Sequence, residues 1–579
     1  IKVVGMKRKK VIVLALILMF IFSSQAFALK DNFDIIVVNS EDWIDVYSGI
    51  MYANLVGKPF NFITSREHST RLPSLIGSKN VYLIESEKLP FVMGYKDTLE
   101  GRGFSVEEKI SEGGKNLNLE LARDLDINNF VIIDDTYGYN AISVCPYAVV
   151  SKSYVLFADE ENVDDIYNFL KNKRAKILIY GYLDKEVMEK LKEFEPEVID
   201  YGDKFDNNIE MVKKYRRIRP VDQVTLTSGD FMELGLMRGT EPILFIGRDS
   251  VPEQVVDYVR SSGIKVGVLI GNELIRSAQS LKAKTGISIF LKFGQGSGAG
   301  AGSAAVRGLD LLYLPSYPLN VTVKGVAFNI LTSDLEVVYK NEADTFSYFK
   351  PSIKVYVDDE LVQTVGEKEP VLIGAREEIG STYPVDLSGY DLGASKLKAD
   401  IFLQYGESKK SMERALEEEL DINMVEIKDL SDIEIVDLSY DRDKNLLTLE
   451  IKNKGPSCYV KPTLTLTIDG DKMSIGGKDT YPINEKVIRD ISFDAELSDE
   501  DLRANENVRV EILYGERENF LVNSISQDIA LKVKGKGDLS SLFYPAIILI
   551  LLTVIVFLLI LVLRKKGRGE EKKGLGKTQ

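Results

Sequence analysis

The chain has 579 residues, 45% of them hydrophobic, with a formal charge of −15, two cysteines and one histidine. That length leaves room for several packed domains, while a lone His68 in a polar stretch excludes multi-histidine metal sites and argues against histidine acid–base catalysis. Without residues 1–28 and 564–579 the chain keeps 61 basic against 86 acidic side chains, a surface that repels nucleic acid and anionic polymers at long range.

In chain order, Met6-Lys-Arg-Lys-Lys, the apolar run Val11–Phe22 and Ala26-Phe27-Ala28 predict a signal peptide over 1–28, cut after Ala28. Three similar stretches then start at Ile35, Val131 and Val224, each reading strand, polar turn, helix-like segment, strand, second helix and third strand. Their strands recur at roughly 90 to 96 residues, longer than a solenoid repeat. We read them as three α/β repeat units with parallel sheets, 29–127, 128–220 and 221–292. In the second, Val163–Leu170 and Glu186–Phe194 carry helical spacing beside the apolar strands Tyr154–Phe157 and Ile177–Tyr180. Cys145 and Cys458 fall in different domains on this reading, and each is expected as a small buried hydrophobe.

A glycine run, GQGSGAGAGSAAVRG, opens a loop or linker over 293–317. Gly296-Ser-Gly298-Ala-Gly300-Ala301 approximates a dinucleotide loop, but no acidic ribose partner follows at a strand end, so no cofactor is expected. Turn-punctuated alternation predicts two immunoglobulin-like β-sandwiches, 318–407 and 431–536. Between them the charged segment Ser408–Leu420 predicts a helical linker over 408–430. Asn320-Val-Thr322 is a glycosylation sequon. Leu542–Leu563 has the length and apolarity of a transmembrane helix, and Arg564, Lys565, Lys566 and Arg568 predict a basic cytoplasmic tail over 564–579. The fold class expected is thus α/β plus all-β multidomain with one transmembrane helix, a single-pass type I protein with its ectodomain outside.

Candidate binding residues sit where helices open toward the carboxyl edge of a sheet. Asp45 and Ser48 in the first unit match Asn140 and Ser143 in the second. Helix N-termini there attract anions, although Asp45 and Asn140 are read first as helix caps or helix-packing residues. Gly113-Gly114-Lys115-Asn116 and Gly202-Asp203-Lys204-Phe205-Asp206-Asn207 open the helices at the unit ends.

These motifs resemble the cell-wall-binding repeat type-two family, whose units end in a Gly-Asp-Arg-Tyr-x-Thr stretch and contain an Asp-x-x-Ser helix start. Lys204, Phe205 and Asn207 stand for that family's Arg, Tyr and Thr, and Lys115 for the Arg in the first unit. The third unit lacks the stretch and has Glu233 near the Asp position. The resemblance covers residues 34–290 and implies a pseudo-threefold cluster attaching surface proteins to anionic wall polymers. The sandwich regions resemble adhesion-type modules of archaeal surface-layer-related proteins, through LTLEIKNKG and LTLTIDGDK.

No GxSxG, HExxH or CxxC occurs. Asp134-Asp135 points to opposite faces of a strand, and Asp358-Asp359-Glu360 reads as a hairpin turn. The expected function is a non-catalytic, metal-free cell-surface structural or attachment protein that binds envelope polymer, neighbouring surface proteins or itself. A membrane-tethered solute receptor is the alternative reading, and a carboxylate-dependent envelope enzyme the third.

Overall fold

Apolar strands covered on both faces build three separate four-stranded parallel sheets. The computed structural model describes residues 33–77, 79–297, 305–468 and 470–535. In the first unit β1 (Ile35–Asn39), α1 (Trp43–Val56), β2 (Phe60–Phe62), α2 (Arg66–Leu75), β3 (Asn80–Ser86), α3 (Tyr95–Glu100), β4 (Ser105–Ser111) and α4 (Gly114–Arg123) follow one another, with strand order β2-β1-β3-β4. The second repeats this with β5 (Asn129–Ile133), α5 (Tyr139–Ser151), β6 (Tyr154–Phe157), α6 (Val163–Lys171), β7 (Lys176–Tyr180), α7 (Lys185–Leu191), β8 (Glu197–Ile199) and α8 (Lys204–Ile218), order β6-β5-β7-β8. The third contains β9 (Gln223–Thr227), β10 (Phe231–Met232), β11 (Ile243–Phe245), α9 (Glu253–Ser262), β12 (Val266–Leu269), α10 (Ile275–Thr285) and β13 (Ser288–Leu291), and its sheet runs β11-β9-β12-β13.

The first helices differ from the outer ones for a reason visible in their burial. Residues Ile44–Ala53 of α1 are all buried, as are Tyr139–Pro146 of α5, because these helices lie between units. By contrast α6 buries only Val163, Ile166 and Leu170, the stripe of a surface helix. The units meet pairwise: Tyr47 donates to the Ala141 carbonyl at 2.9 Å, Asn54 to the Met237 carbonyl at 2.8 Å, and Cys145 Sγ lies 3.7 Å from that same carbonyl. One apolar core runs through all three.

A repeated polar bond closes two sheet edges. Buried Asn118 on α4 donates to the carbonyl of Val155 and to Ser48 Oγ, each at 2.9 Å, and accepts from the Phe157 amide at 3.3 Å. Buried Asn208 on α8 donates to the Ile243 carbonyl at 3.0 Å and Ser143 Oγ at 2.8 Å, and accepts from the Phe245 amide at 2.8 Å. Each carboxamide therefore pairs with the edge strand of the next unit as a neighbouring peptide would, leaving no open template for another strand.

The third unit lacks both such helices. A turn of 3-10 helix, Leu236–Arg238, follows β10 where α1 and α5 stand in the other units. The segment carries Gly229 and Gly239 at φ 87 and 64, conformations that a continuing helix cannot use. After β13 the chain forms a hairpin, Gln295–Ser297 with Ala305–Arg307, and Leu309, Leu311, Leu312 and Leu314 pack on the α/β core. The expected linker over 293–317 is therefore in part a packed segment, because its leucines find the apolar surface that a terminal helix would have covered. The dinucleotide-like residues 298–301 lie outside the described residues.

The described chain divides into two compact units. One holds the described residues up to Thr322 with Lys340–Arg376 and Tyr390–Asp421; the other holds Val323–Tyr339, Glu377–Gly389 and the described residues from Ile422 on. The division runs through the first expected β-sandwich: its five-stranded sheet, built on Ser347–Val357 and Leu397–Gly406, falls in the first unit. The second compact unit holds most of the four-stranded sheet built on Val321–Asn329 and Asp334–Asn341, and a complete sandwich. That sandwich packs Leu447, Leu449 and Ile451 of one sheet with Leu464, Val510 and Ile512 of the other.

The expected helix over Ser408–Leu420 is corrected. Arg414–Asp421 is a strand paired antiparallel with Lys398–Tyr405, since a full hydrogen-bond ladder outweighs the helical propensity of an exposed glutamate run. The expected transmembrane helix and single-pass type I placement are also corrected: among the described residues no helix is long and apolar enough to cross a membrane. The run Leu542–Leu563, the signal segment 1–28 and the basic tail 564–579 lie outside the described residues.

Candidate functional site

The residues singled out from the sequence fall at the carboxyl edges of the first two sheets, in two places. At the first edge Asp45 is fully buried near the start of α1. It does not cap its own helix, since Asp42 is the N-cap of α1, accepting from the Ile44 amide at 2.8 Å. Asp45 instead accepts from the Gly114 amide at 2.5 Å, the opening of α4, and from Ser40 Oγ at 2.7 Å. Burial above all raises its pKa to about 6, against the lowering pull of the Ser40 hydrogen bond. Lys115 reaches Asp135 Oδ2 at 3.1 Å and makes a close ion pair with Asp159, both from the second unit.

At the second edge Asn140 donates to Asp134 Oδ1 at 2.8 Å, and Asp134 also accepts from the Thr136 amide at 3.2 Å. Asp134 and Asp135 thus diverge, one to its own unit's edge and one to Lys115. A side chain at position 181 would be strained: Gly181 has φ 77, and a Cβ there would press on Asn140 Nδ2 at 3.0 Å.

Asp203 is the N-cap of α8, its Oδ1 accepting from the amides of Phe205 at 2.9 Å and Asp206 at 3.0 Å. Its other oxygen accepts from Ser408 Oγ at 2.5 Å and from Ser411 Oγ. Lys204 is 7% exposed, with Nζ 2.6 Å from Glu413 Oε1 and 3.8 Å from Glu407 Oε2. The same ammonium stands 5.3 Å from the ring centroids of both Tyr139 and Phe205, and Phe205 is itself buried. Burial alone would lower the Lys204 pKa, but Glu413 and Glu407 outweigh it and hold the charge.

The segment from Glu407 to Glu413 therefore occupies the position where the family resemblance implied a ligand. Its backbone is fixed as well, the Glu413 carbonyl accepting from the amides of Asp249 at 3.0 Å and Ser250 at 3.2 Å. Glu407 Oε1 accepts from Tyr139 Oη at 3.0 Å, and burial raises the Glu407 pKa in spite of Lys204. The sequence reading missed Glu407, Ser408, Ser411 and Glu413. A Glu-Ser-x-x-Ser-x-Glu spacing has no local meaning until the ladder of the following strand brings it over α8.

The third edge has its own internal pair, Glu233 Oε1 with Lys292 Nζ at 2.9 Å. Glu233 Oε2 also accepts from the Gly235 amide at 2.8 Å. Between the second-unit groups lies a pocket of about 400 Å³, lined among others by Asp134, Tyr137, Tyr182, Asp200 and Glu407. Asn320 is exposed, its carbonyl accepting from the Glu342 amide at 2.7 Å. Both cysteines are free and buried. Among the described residues no group of three or more His, Cys, Asp or Glu is placed to hold a metal ion.

The fold and site define a protein of three repeated parallel-sheet α/β units followed by β-rich modules, with the charged groups at the unit ends paired internally. No family model and no curated protein matches the sequence. Among solved structures the chain is similar to Cwp8 from Clostridium difficile, at 16% identity over 44% of this chain and 47% of that one, with a TM-score of 0.36. It is also similar to the ligand binding region of Serine-glutamate repeat protein A (SgrA) of Enterococcus faecium, at 17% identity over 18% of this chain and 99% of that one, with a TM-score of 0.14. The Cwp8 alignment spans less than half of that protein's length, and at these scores neither likeness carries a functional argument. No comparison supports an archaeal source.

Proposed function

We propose that the chain is a cell-surface structural protein that acts by assembly and attachment, without catalysis and without a resident cofactor. The export signal read from Met6–Ala28 supports the compartment. The observation that carries the role is the saturation of Lys115 and Lys204 by carboxylates of the same chain. A cation so paired gives little to an external polyanion, because an incoming phosphate or carboxylate must first displace a bonded partner. These lysines lock neighbouring parts of one scaffold, and attachment runs through other surfaces, to neighbouring surface proteins or to weakly charged envelope polymer.

Co-sedimentation of the purified chain tests this reading. Retention on isolated envelope polymer that survives added salt, or concentration-dependent self-association in analytical ultracentrifugation, is the expected result. A chain that stays monomeric at every concentration and is retained by no envelope fraction contradicts it. Salt-labile retention on an anionic polysaccharide that is lost in Lys204→Met contradicts the structural role of that lysine.

A further inference from the structure

We propose that the pocket at the carboxyl edge of the second unit binds a small organic cation, an ammonium group on a body of about monosaccharide size. The volume, about 400 Å³, is that of a small-ligand site. Its walls join two chemistries that together select for such a group.

The first is aromatic. Tyr137 and Tyr139 stack with centroids 5.7 Å apart and planes 9° from parallel, and Tyr182 is 68% exposed at the same pocket. Faces of tyrosine attract a cation through the ring quadrupole, and the nearby Lys204 ammonium already uses Tyr139 in this way. The second is charge. Asp134, Asp200, Asp203 and Glu407 line the pocket against a single cation, Lys204, which is itself bonded to Glu413.

Two of these carboxylates are already satisfied. Asp203 is held by the serines and by α8 amides, and Asp134 by Asn140 and Thr136. Glu407 is not: its Oε1 accepts from Tyr139, but Oε2 is buried with no hydrogen-bond donor, and Lys204 Nζ stands 3.8 Å from it. A buried carboxylate oxygen without a donor is costly and accounts for a donor arriving from a ligand. An ammonium supplies up to three donors and a positive charge at once. A bare metal ion fits less well, since the carboxylates are spread around a cavity and do not converge as ligands.

The inference concerns a ligand that the assembly reading does not require, and the two can fail separately. Isothermal titration or ligand-observed NMR on the purified full chain would compare glucosamine and tetramethylammonium with the neutral N-acetylglucosamine and the anionic glucuronate. Saturable binding of the two cations, with the neutral and anionic sugars at least about fivefold weaker, is expected. Tyr182→Ala and Asp200→Asn change exposed side chains and should leave the melting temperature unchanged while weakening the cations severalfold. Glu407→Gln should weaken them most. Equal binding of glucosamine and N-acetylglucosamine, stronger binding of glucuronate, or no binding of either cation at millimolar concentration overturns the proposal.

Discussion

Asn118 and Asn208 occupy matching positions in successive units and make the same three bonds to the same kinds of partner. Lys115 and Lys204 also match, yet their partners differ. Lys115 is 23% exposed and bridges to Asp135 and Asp159 of the next α/β unit, whereas Lys204 is 7% exposed and is held by Glu407 and Glu413 from a segment some two hundred residues downstream. The edge-closing amide depends only on the next repeat being present, so it recurs wherever one follows. The cation is a freer element, able to fix whichever neighbour brings carboxylates to the end of the unit.

That contrast orders the expected effects of substitution. Lys204→Met leaves two carboxylates buried without their cation and should cost about 3–5 kcal/mol in urea denaturation. Adding Glu407→Gln and Glu413→Gln should recover most of it, since no buried charge is then unpaired. Asn208→Ala strands the Phe245 amide, the Ile243 carbonyl and Ser143 Oγ, and should cost about 3 kcal/mol; Asn118→Ala should match it if the two positions are equivalent. A gap between these two values would mean that one edge is better shielded than the other.

Asp45 gives a pH signature of intermediate size. Its folded pKa of about 6 lies above the ordinary aspartate value of 3.8, so between the two the folded chain keeps a proton that the unfolded chain has released. Stability from this group is therefore full below the unfolded value and is lost as pH rises through about 6. Asp45→Asn, which installs the residue that the second unit carries as Asn140, should remove this slope, its gain over wild type growing from nothing below the unfolded value to about 3 kcal/mol above pH 6. Equal slopes in both proteins would show that Asp45 is ionised at no cost. Lys115→Met should have the smallest effect, about 1 kcal/mol, because its ion pairs are partly hydrated.

Much of the α/β architecture is written locally. Continuous apolar strands such as Ile35–Asn39 and Phe130–Ile133 can only be strands buried on both faces, and all their residues are buried. The third unit departs from this reading: its sequence predicts a helix-like segment after the first strand, and the structure has only the turn Leu236–Arg238 between Gly229 and Gly239, both at positive φ. What escaped reading is what depends on tertiary pairing. Ser408–Leu420 carries strong helix formers, and only its ladder with Lys398–Tyr405 makes it a turn and a strand.

A second repeat was legible but passed over. Tyr348-Phe-Lys-Pro351 and Tyr459-Val-Lys-Pro462 open the longest strands of two five-stranded sheets with the same strand order. Before each, at the end of a strand of the neighbouring four-stranded sheet, a fully buried asparagine, Asn341 or Asn453, donates to a carbonyl of the following turn and accepts from an amide two residues on. The candidate site was half visible: the basic and capping residues stood in recognisable motifs, while the carboxylates that neutralise them had no motif at all.

The central claim is that the unit-end lysines are structural ion pairs. A double-mutant cycle on Lys204→Met and Glu413→Gln, read by urea denaturation of the purified chain, tests it most directly. The structure predicts that each single substitution destabilises strongly and that the pair together costs less than their sum, a coupling of about 2 kcal/mol or more. Additive effects with coupling near zero would mean that Lys204 does not depend on Glu413, and would return it to the role of a free anion-binding group.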